Sequence, residues 1–284
     1  MKALLIAQLT FQEAMRRKVV LGVVALSLAF IALYAYGYHL FVIDWNNNHT
    51  VREAGGTGLV TYPIMASAMV MLGLYTVNFL TGIMTIFAAV GAIAGEIDAG
   101  TFHAIVPKPL ARWEIVIGKY LGYAAMLIVY IIVMSASVVV TSIAIGNYTP
   151  PNVVQGALLI ILVSMILLSL TMLGSTIFST MANGIVVFML YGMAVTGGLV
   201  EQIGTLLNND VMVNIGIITS IIVPSDSMWR LASYVVQPRL AISFTGPNPL
   251  GTTVPPSTFA VEYAAVYCLV LLIGAVLVFR RRDL

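Results

Sequence analysis

Long apolar tracts separated by short polar breaks organise the chain. Val19 to Ile43, Ala54 to Gly95 and Tyr120 to Val200 each run without an Asp, Glu, Lys or Arg. A helix crossing a hydrocarbon core about 30 Å thick needs roughly 20 mostly apolar residues. The first tract therefore predicts a span at about 19–41. The third is interrupted by the turn sequence Gly146-Asn147-Tyr148-Thr149-Pro150-Pro151 and again near Asn183-Gly184. It predicts spans at about 120–145, 154–180 and 184–200. A last span at about 258–279 ends in Arg280-Arg281-Arg282. In the region 201–257, Val211–Val223 is apolar but too short to cross, which predicts a re-entrant or surface-lying helix. Pro224-Ser225-Asp226 ends that helix, because proline breaks the backbone ladder.

The second tract is long enough for two helices, and the charges decide against them. With one span at about 62–94, starting near Pro63 as a first-turn proline, one side of the membrane collects Lys2, Arg16, Arg17, Lys18, Lys108, Arg112, Lys119, Arg280, Arg281 and Arg282. The other side holds Arg52, Arg230 and Arg239. Splitting the tract would move Lys108, Arg112 and Lys119 across and spoil the positive-inside asymmetry. The expectation is an all-α integral membrane protein, a single membrane domain over 1–284 with six transmembrane helices. Both termini are cytoplasmic and the region 201–257 is external. Residues 2–17 fit two readings. One is an amphipathic interfacial helix, with Leu4, Phe11 and Met15 on one face and Gln8, Gln12, Glu13, Arg16 and Arg17 on the other. The second is the cytoplasmic start of span one. A cleaved signal peptide is not expected, since the apolar run exceeds an h-region.

Composition narrows the function classes. Hydrophobic residues make up 60% of the chain and charged residues 8%, against about 25% charged in a soluble domain, which excludes an ordinary soluble enzyme. A net charge of +2 gives no reason to expect a nucleic-acid partner, and the single Cys268 allows no intrachain disulfide. No metalloprotease, nucleophile-elbow or P-loop motif is present; Gly118-Lys119 is followed by Tyr120 rather than Ser or Thr. The predicted spans carry no titratable residue at mid-depth, and His39 and Glu262 fall at outer ends. An ion-driven carrier needs such a group, so the energy source is expected on another chain. Met65, Met69, Met84, Met165 and Met172 would suit a Cu(I) path, yet methionine is also ordinary apolar filler. The sequons at Asn48 and Asn147 fall in loops placed outside and carry little weight.

Segment 95–119 packs most of the cytoplasmic polarity into a short piece. It reads as a short amphipathic docking helix at a membrane exit, over about 96–114, with Thr101 as a cap and Glu96 and Asp98 at its N-terminal end. An ordinary solvated loop is the alternative. On Glu96, Gly100, Thr101, Phe102, Pro109, Arg112, Gly118 and Lys119 the segment resembles the type-2 ABC transporter permease family, in which the membrane chain is separate from its ATPase. Pro107 stands where Ser or Thr is commoner. The Arg-rich end after span six and the N-terminal helix are similar to that family too.

The resemblance implies a permease subunit of an ATP-driven exporter in the cell (inner) membrane. Two such chains, identical or paralogous, pair around a pathway in the lipid, each on a cytoplasmic ATPase subunit. ATP and Mg sit on the ATPases, and this chain binds no cofactor and has no ATPase site of its own. Glu96, Asp98, Gly100, Thr101, Phe102, Pro109, Arg112 and Lys119 become the ATPase-coupling residues. Arg112 would make an ion pair there, and Lys119 would snorkel to anchor span three. Pro224 and Asp226 belong to an external gate. The alternatives are an ATP-independent channel or secondary carrier, or an assembly subunit.

Overall fold

The computed structural model describes residues 2–47, 62–98, 111–238, 256–257 and 259–281. They form ten helices: α1 (Lys2–Arg16), α2 (Lys18–Asn47), α3 (Tyr62–Ala89), α4 (Ala94–Asp98), α5 (Arg112–Gly146), α6 (Val153–Ile177), α7 (Thr180–Leu206), α8 (Asp210–Ile222), α9 (Ser225–Val236) and α10 (Phe259–Arg281). Six segments are long and apolar enough to cross a membrane: α2, α3 with α4, α5, α6, α7 and α10. The protein is an all-α integral membrane protein, with α8 and α9 as a helix pair bent by 105°.

The spans differ in how much of their surface faces other helices. Most of α3 is buried in the bundle, whereas α10 and α2 show most of theirs outward. With lipid as apolar as leucine, helix contact is carried by close approach and by small polar groups. Accordingly the interior holds Ser67, Asn78, Thr81 and Thr85 from α3 and Ser164, Ser169, Thr171 and Ser175 from α6. Several of these hydroxyls bond back to the carbonyl four residues earlier, as Thr85 does to Thr81 (2.7 Å) and Thr171 to Leu167 (2.7 Å). A hydroxyl inside an apolar helix is satisfied this way without a partner helix.

The bundle has two chemically distinct ends. One collects Arg16, Arg17, Lys18, Arg112, Lys119, Arg280 and Arg281, and is called the basic end; the other holds Arg230 as its described basic residue. At the basic end α1 is a separate helix, stopped at Arg17, which favours the interfacial reading over a simple extension of span one. The stripe turned to the bundle has Thr10 and Ala14 buried and Ala3, Ile6, Ala7 and Phe11 half-buried, while Leu4, Leu5, Leu9 and Met15 are exposed. Of the expected apolar face, Leu4 and Met15 are exposed and Phe11 is half-buried at its edge, while the side turned to the bundle is the one with the small residues. Gly118 and Gly122 of α5 explain the choice. A Cβ on Gly118 would stand 2.7 Å from Ile6 Cβ, and one on Gly122 would stand 2.6 Å from the Ala7 carbonyl. The small residues of α1 lie against these glycines, and the leucines are left for the surroundings.

Several boundaries move from the sequence expectation. Span three begins at Arg112 rather than 120, because Glu114 accepts from the Ala111 N–H (3.1 Å) and closes the first turn. Arg112 to Glu114 thus open span three and do not end a separate coupling helix. Span five runs Thr180–Leu206 rather than 184–200, so Glu201 and Gln202 belong to a span helix and not to the external region. The break expected near Asn183-Gly184 lies instead at Phe178-Ser179. The turn after α5 is where the sequence put it, with Asn147 in the left-handed region at φ 48°, a conformation asparagine tolerates better than most residues.

Candidate functional site

Two polar junctions stand out, one at each end, and each sits where a helix is interrupted. At the basic end, α3 stops at Ala89 and the chain turns through Val90–Ile93 before α4. Such a break frees backbone carbonyls and N–H groups that lipid cannot satisfy. Side chains from four other places in the chain take them. Arg17 donates to the Ala88 carbonyl (3.1 Å), Lys119 of α5 to Ala92 (2.6 Å), and Asn183 of α7 to Val90 (2.9 Å); Asn183 also donates to the Thr171 carbonyl within α6 (3.0 Å). Ser175 of α6 accepts from the N–H groups of Ile93 (2.9 Å) and Ala94 (3.0 Å), which caps α4 from a neighbouring helix.

Charge completes the junction. Lys119 also forms an ion pair with Glu96, and its side chain is only 5% exposed against 22% for Glu96. Lys119 therefore does not snorkel: the helix register points it inward under α4. Arg17 pairs with Glu13 one turn earlier (2.8 Å). Burial pulls the Arg17 guanidinium down, but nearby Tyr123, Glu13 and Glu96 outweigh it, so it is held above the usual arginine value and stays a fixed cation. Arg112 donates to the carbonyls of Arg280 (3.1 Å) and Phe279 (3.4 Å), so it holds the end of span six to the start of span three. This is a positioning contact that its expected ion-pair role did not foresee.

Of the expected coupling residues, the structure thus brings Glu96 and Lys119 together and places Arg112 at the neighbouring helix start. Gly100, Thr101, Phe102 and Pro109 lie outside the described residues, as does the side chain of Asp98. Arg17, Ser175 and Asn183 were not foreseen. A buried asparagine three residues into a span was the one available hint, and it was read as a helix break.

At the opposite end the interruption is the bend between α8 and α9. Asn209 caps α8 by accepting from Val211 (3.1 Å) and Met212 (3.3 Å), and α8 lies back along α7. Contact is close because a Cβ on Gly216 would stand 2.8 Å from the Gly197 carbonyl. Pro224 turns the chain into α9. Tyr263 and Tyr267 of α10 donate to the freed carbonyls of Ile221 (2.6 Å) and Ile222 (2.8 Å). Behind the bend, Arg230 of α9 makes a two-pronged pair with Glu201 of α7 (2.7 and 2.9 Å) and lies 3.0 Å from Asp226. It also donates to Ser220 of α8 (3.2 Å). One guanidinium thus joins α7, α8 and α9. Pro224 and Asp226 were expected there; Glu201 and Arg230 were not, since single charges far apart in sequence give no pairing signal.

A comparison with curated proteins gave no match. The family model described as "ABC-2 family transporter protein" matches residues 4–284. That match covers nearly the whole chain, and the six apolar spans agree with it, so the chain belongs to the ABC-2 family of transporter proteins as a multi-pass membrane component.

Proposed function

We propose that this chain is the permease half of an ATP-driven exporter in the cell (inner) membrane, with its basic end cytoplasmic. Membership of the ABC-2 family implies an ABC ATPase partner; the finer reading is two permease chains on two ATPase subunits, which hold the ATP and Mg. The observation that carries it is the gripped break at Val90–Ile93. Backbone there is held by side chains from Arg17, α5, α6 and α7 at once, directly before segment 99–110, which carries the family-like coupling residues. Force on that segment reaches four parts of the bundle through hydrogen bonds rather than through a loose loop. Such an element suits a two-state machine biased by nucleotide. The apolar spans favour a hydrophobic or amphipathic cargo, moved by alternating access past the α8–α9 gate.

Purification in gentle detergent with mass spectrometry of co-purifying chains tests the reading. The expected result is a stoichiometric ABC ATPase, two copies per two permease chains. Lys119→Met should then lower the change in ATP turnover caused by reconstitution with the permease, while the complex still assembles. A chain that emerges alone, with no nucleotide-hydrolysing partner, sinks the exporter reading and favours a carrier or channel.

A further inference from the structure

The cluster behind the α8–α9 bend contains two carboxylates and one guanidinium. Glu201 and Asp226 both face Arg230, and among the described residues no other Lys, Arg or His pairs with either. With both carboxylates ionised the group carries one net negative charge; the Glu201 side chain is 20% exposed and reaches water, whereas Asp226 sits in an apolar interior, where an uncompensated charge is costly. Arg230 is 6% exposed and Asp226 8%, so water cannot easily provide the balance.

Beside Asp226 lies a cavity of about 20 Å³, room for one water-sized particle. It is lined by Asn78 of α3, Ser225 and Asp226 of α9, and the aromatic side chains Tyr75, Tyr191 and Trp229. Two oxygens of these residues are buried without a hydrogen-bond partner: Asn78 Oδ1 and Ser225 Oγ. Asn78 is 5% exposed and Ser225 1%. Asp226 Oδ2 lies 3.0 Å from Arg230 Nε, a nitrogen not shared with Glu201 in the ion pairs of the cluster. Gly198 of α7 leaves the room, since a Cβ there would run into the Asp226 carboxylate.

Two unpartnered buried oxygens, a buried carboxylate that shares its arginine with Glu201, and aromatic faces all call for the same kind of occupant. We infer that this cavity binds one small monovalent cation of the size of sodium or potassium, held by Asp226, Asn78 and Ser225. Oxygen-only ligands suit a hard cation, and ring faces are attractive to positive charge. A divalent ion would leave the cluster at plus one and gain nothing in neutrality. The bound cation ties α3 to the gate helix α9, so occupancy favours one position of α9. This inference does not depend on the ATPase reading.

Thermal unfolding of the purified full chain in detergent tests it, in sodium, potassium or choline chloride at equal ionic strength and pH 8. The expected result is a saturable rise in Tm of about 5 °C in sodium or potassium over choline. Asp226→Asn and Asn78→Leu should abolish the difference. Equal Tm in all three salts overturns the site. Glu201, Arg230 and Tyr191 also face Asp226, so a repeat at pH 6 separates the other source of positive charge. A protein stabilised by acid in choline, with no alkali-cation dependence at pH 8, carries a proton there and overturns the cation assignment. Should Asp226→Asn not fold, Asn78→Leu decides: full cation dependence in that variant overturns the ligand set.

Discussion

The two junctions solve one problem with different chemistry. Both lie where a helix is interrupted, at Val90–Ile93 and at Val223–Pro224, and at both the freed carbonyls are taken by side chains of other spans. At the basic end the donors are Arg17, Lys119 and Asn183, and the ion pair is one-to-one, Glu96 with Lys119. Glu96 keeps contact with water. At the opposite end the donors are the neutral hydroxyls of Tyr263 and Tyr267, and the charges are gathered into an unequal cluster of Glu201, Asp226 and Arg230, with Arg230 and Asp226 almost wholly buried. The difference teaches that charge at the basic end serves the backbone, whereas charge at the other end serves to join helices. The first is locally neutral and tolerant of water. The second depends on every member being present.

That contrast can be broken most forcefully at Arg230. Arg230→Leu leaves the buried Asp226 carboxylate and the partly exposed Glu201 without a partner, and should cost about 3 kcal/mol of stability, seen as a collapse of Tm or loss of the folded protein in detergent. The triple variant Glu201→Leu, Asp226→Leu, Arg230→Leu should recover much of that loss, because an apolar core replaces the whole charged group. If the triple variant is no better than the single one, the cluster's burial is not the source of the cost.

Next in size is the basic end, where the unequal exposure of the pair predicts an order. Glu96→Leu strands the buried Lys119 ammonium with one carbonyl and should cost about 2 kcal/mol. Lys119→Met leaves a carboxylate that reaches water and should cost roughly half as much. Chemical denaturation of the two variants side by side checks this, and equal losses would deny the asymmetry. Gly122→Val should cost about 2 kcal/mol by overpacking α1 against α5. Its signature is easier proteolysis of residues 2–17, with the rest of the bundle intact. The smallest effect is expected at the α8 cap, where Asn209→Ala removes two acceptor contacts and should cost about 1 kcal/mol, read from Tm alone.

The same contrast marks how far the sequence could be read. Uncharged tracts and the positive-inside count were enough for six spans, for one helix rather than two in the second tract, and for a short apolar helix ending at Pro224. Each follows from a local rule: the length needed to cross hydrocarbon, the placement of Lys and Arg, the missing N–H of proline. The family resemblance rested on residues close together in segment 95–119, of which Gly118 turned out to make room for α1. Local rules failed where a charge or an amide had a distant partner. Lys119 looked like an anchor at a membrane edge, and Asn183 looked like a break. Glu201 looked like external loop. Lys119 and Asn183 are buried and Glu201 is half-buried, because a helix register and a neighbour from elsewhere in the chain gave each a polar partner, and those partners lie 23, 93 and 29 residues away.

Hydrophobic length and charge placement act residue by residue, so they sufficed for the membrane class, the number of apolar spans, the charged end and the place of the bent helix pair. Tertiary structure decided which polar groups meet: the four-sided grip on the break before segment 99–110, the stripe of α1 that lies on Gly118 and Gly122, and the convergence of Glu201, Asp226 and Arg230 beside the Asn78 cavity. The physical reason is that a polar group buried in an apolar bundle is stable only when paired, and pairing is a property of two helices brought side by side, which no single stretch of sequence contains.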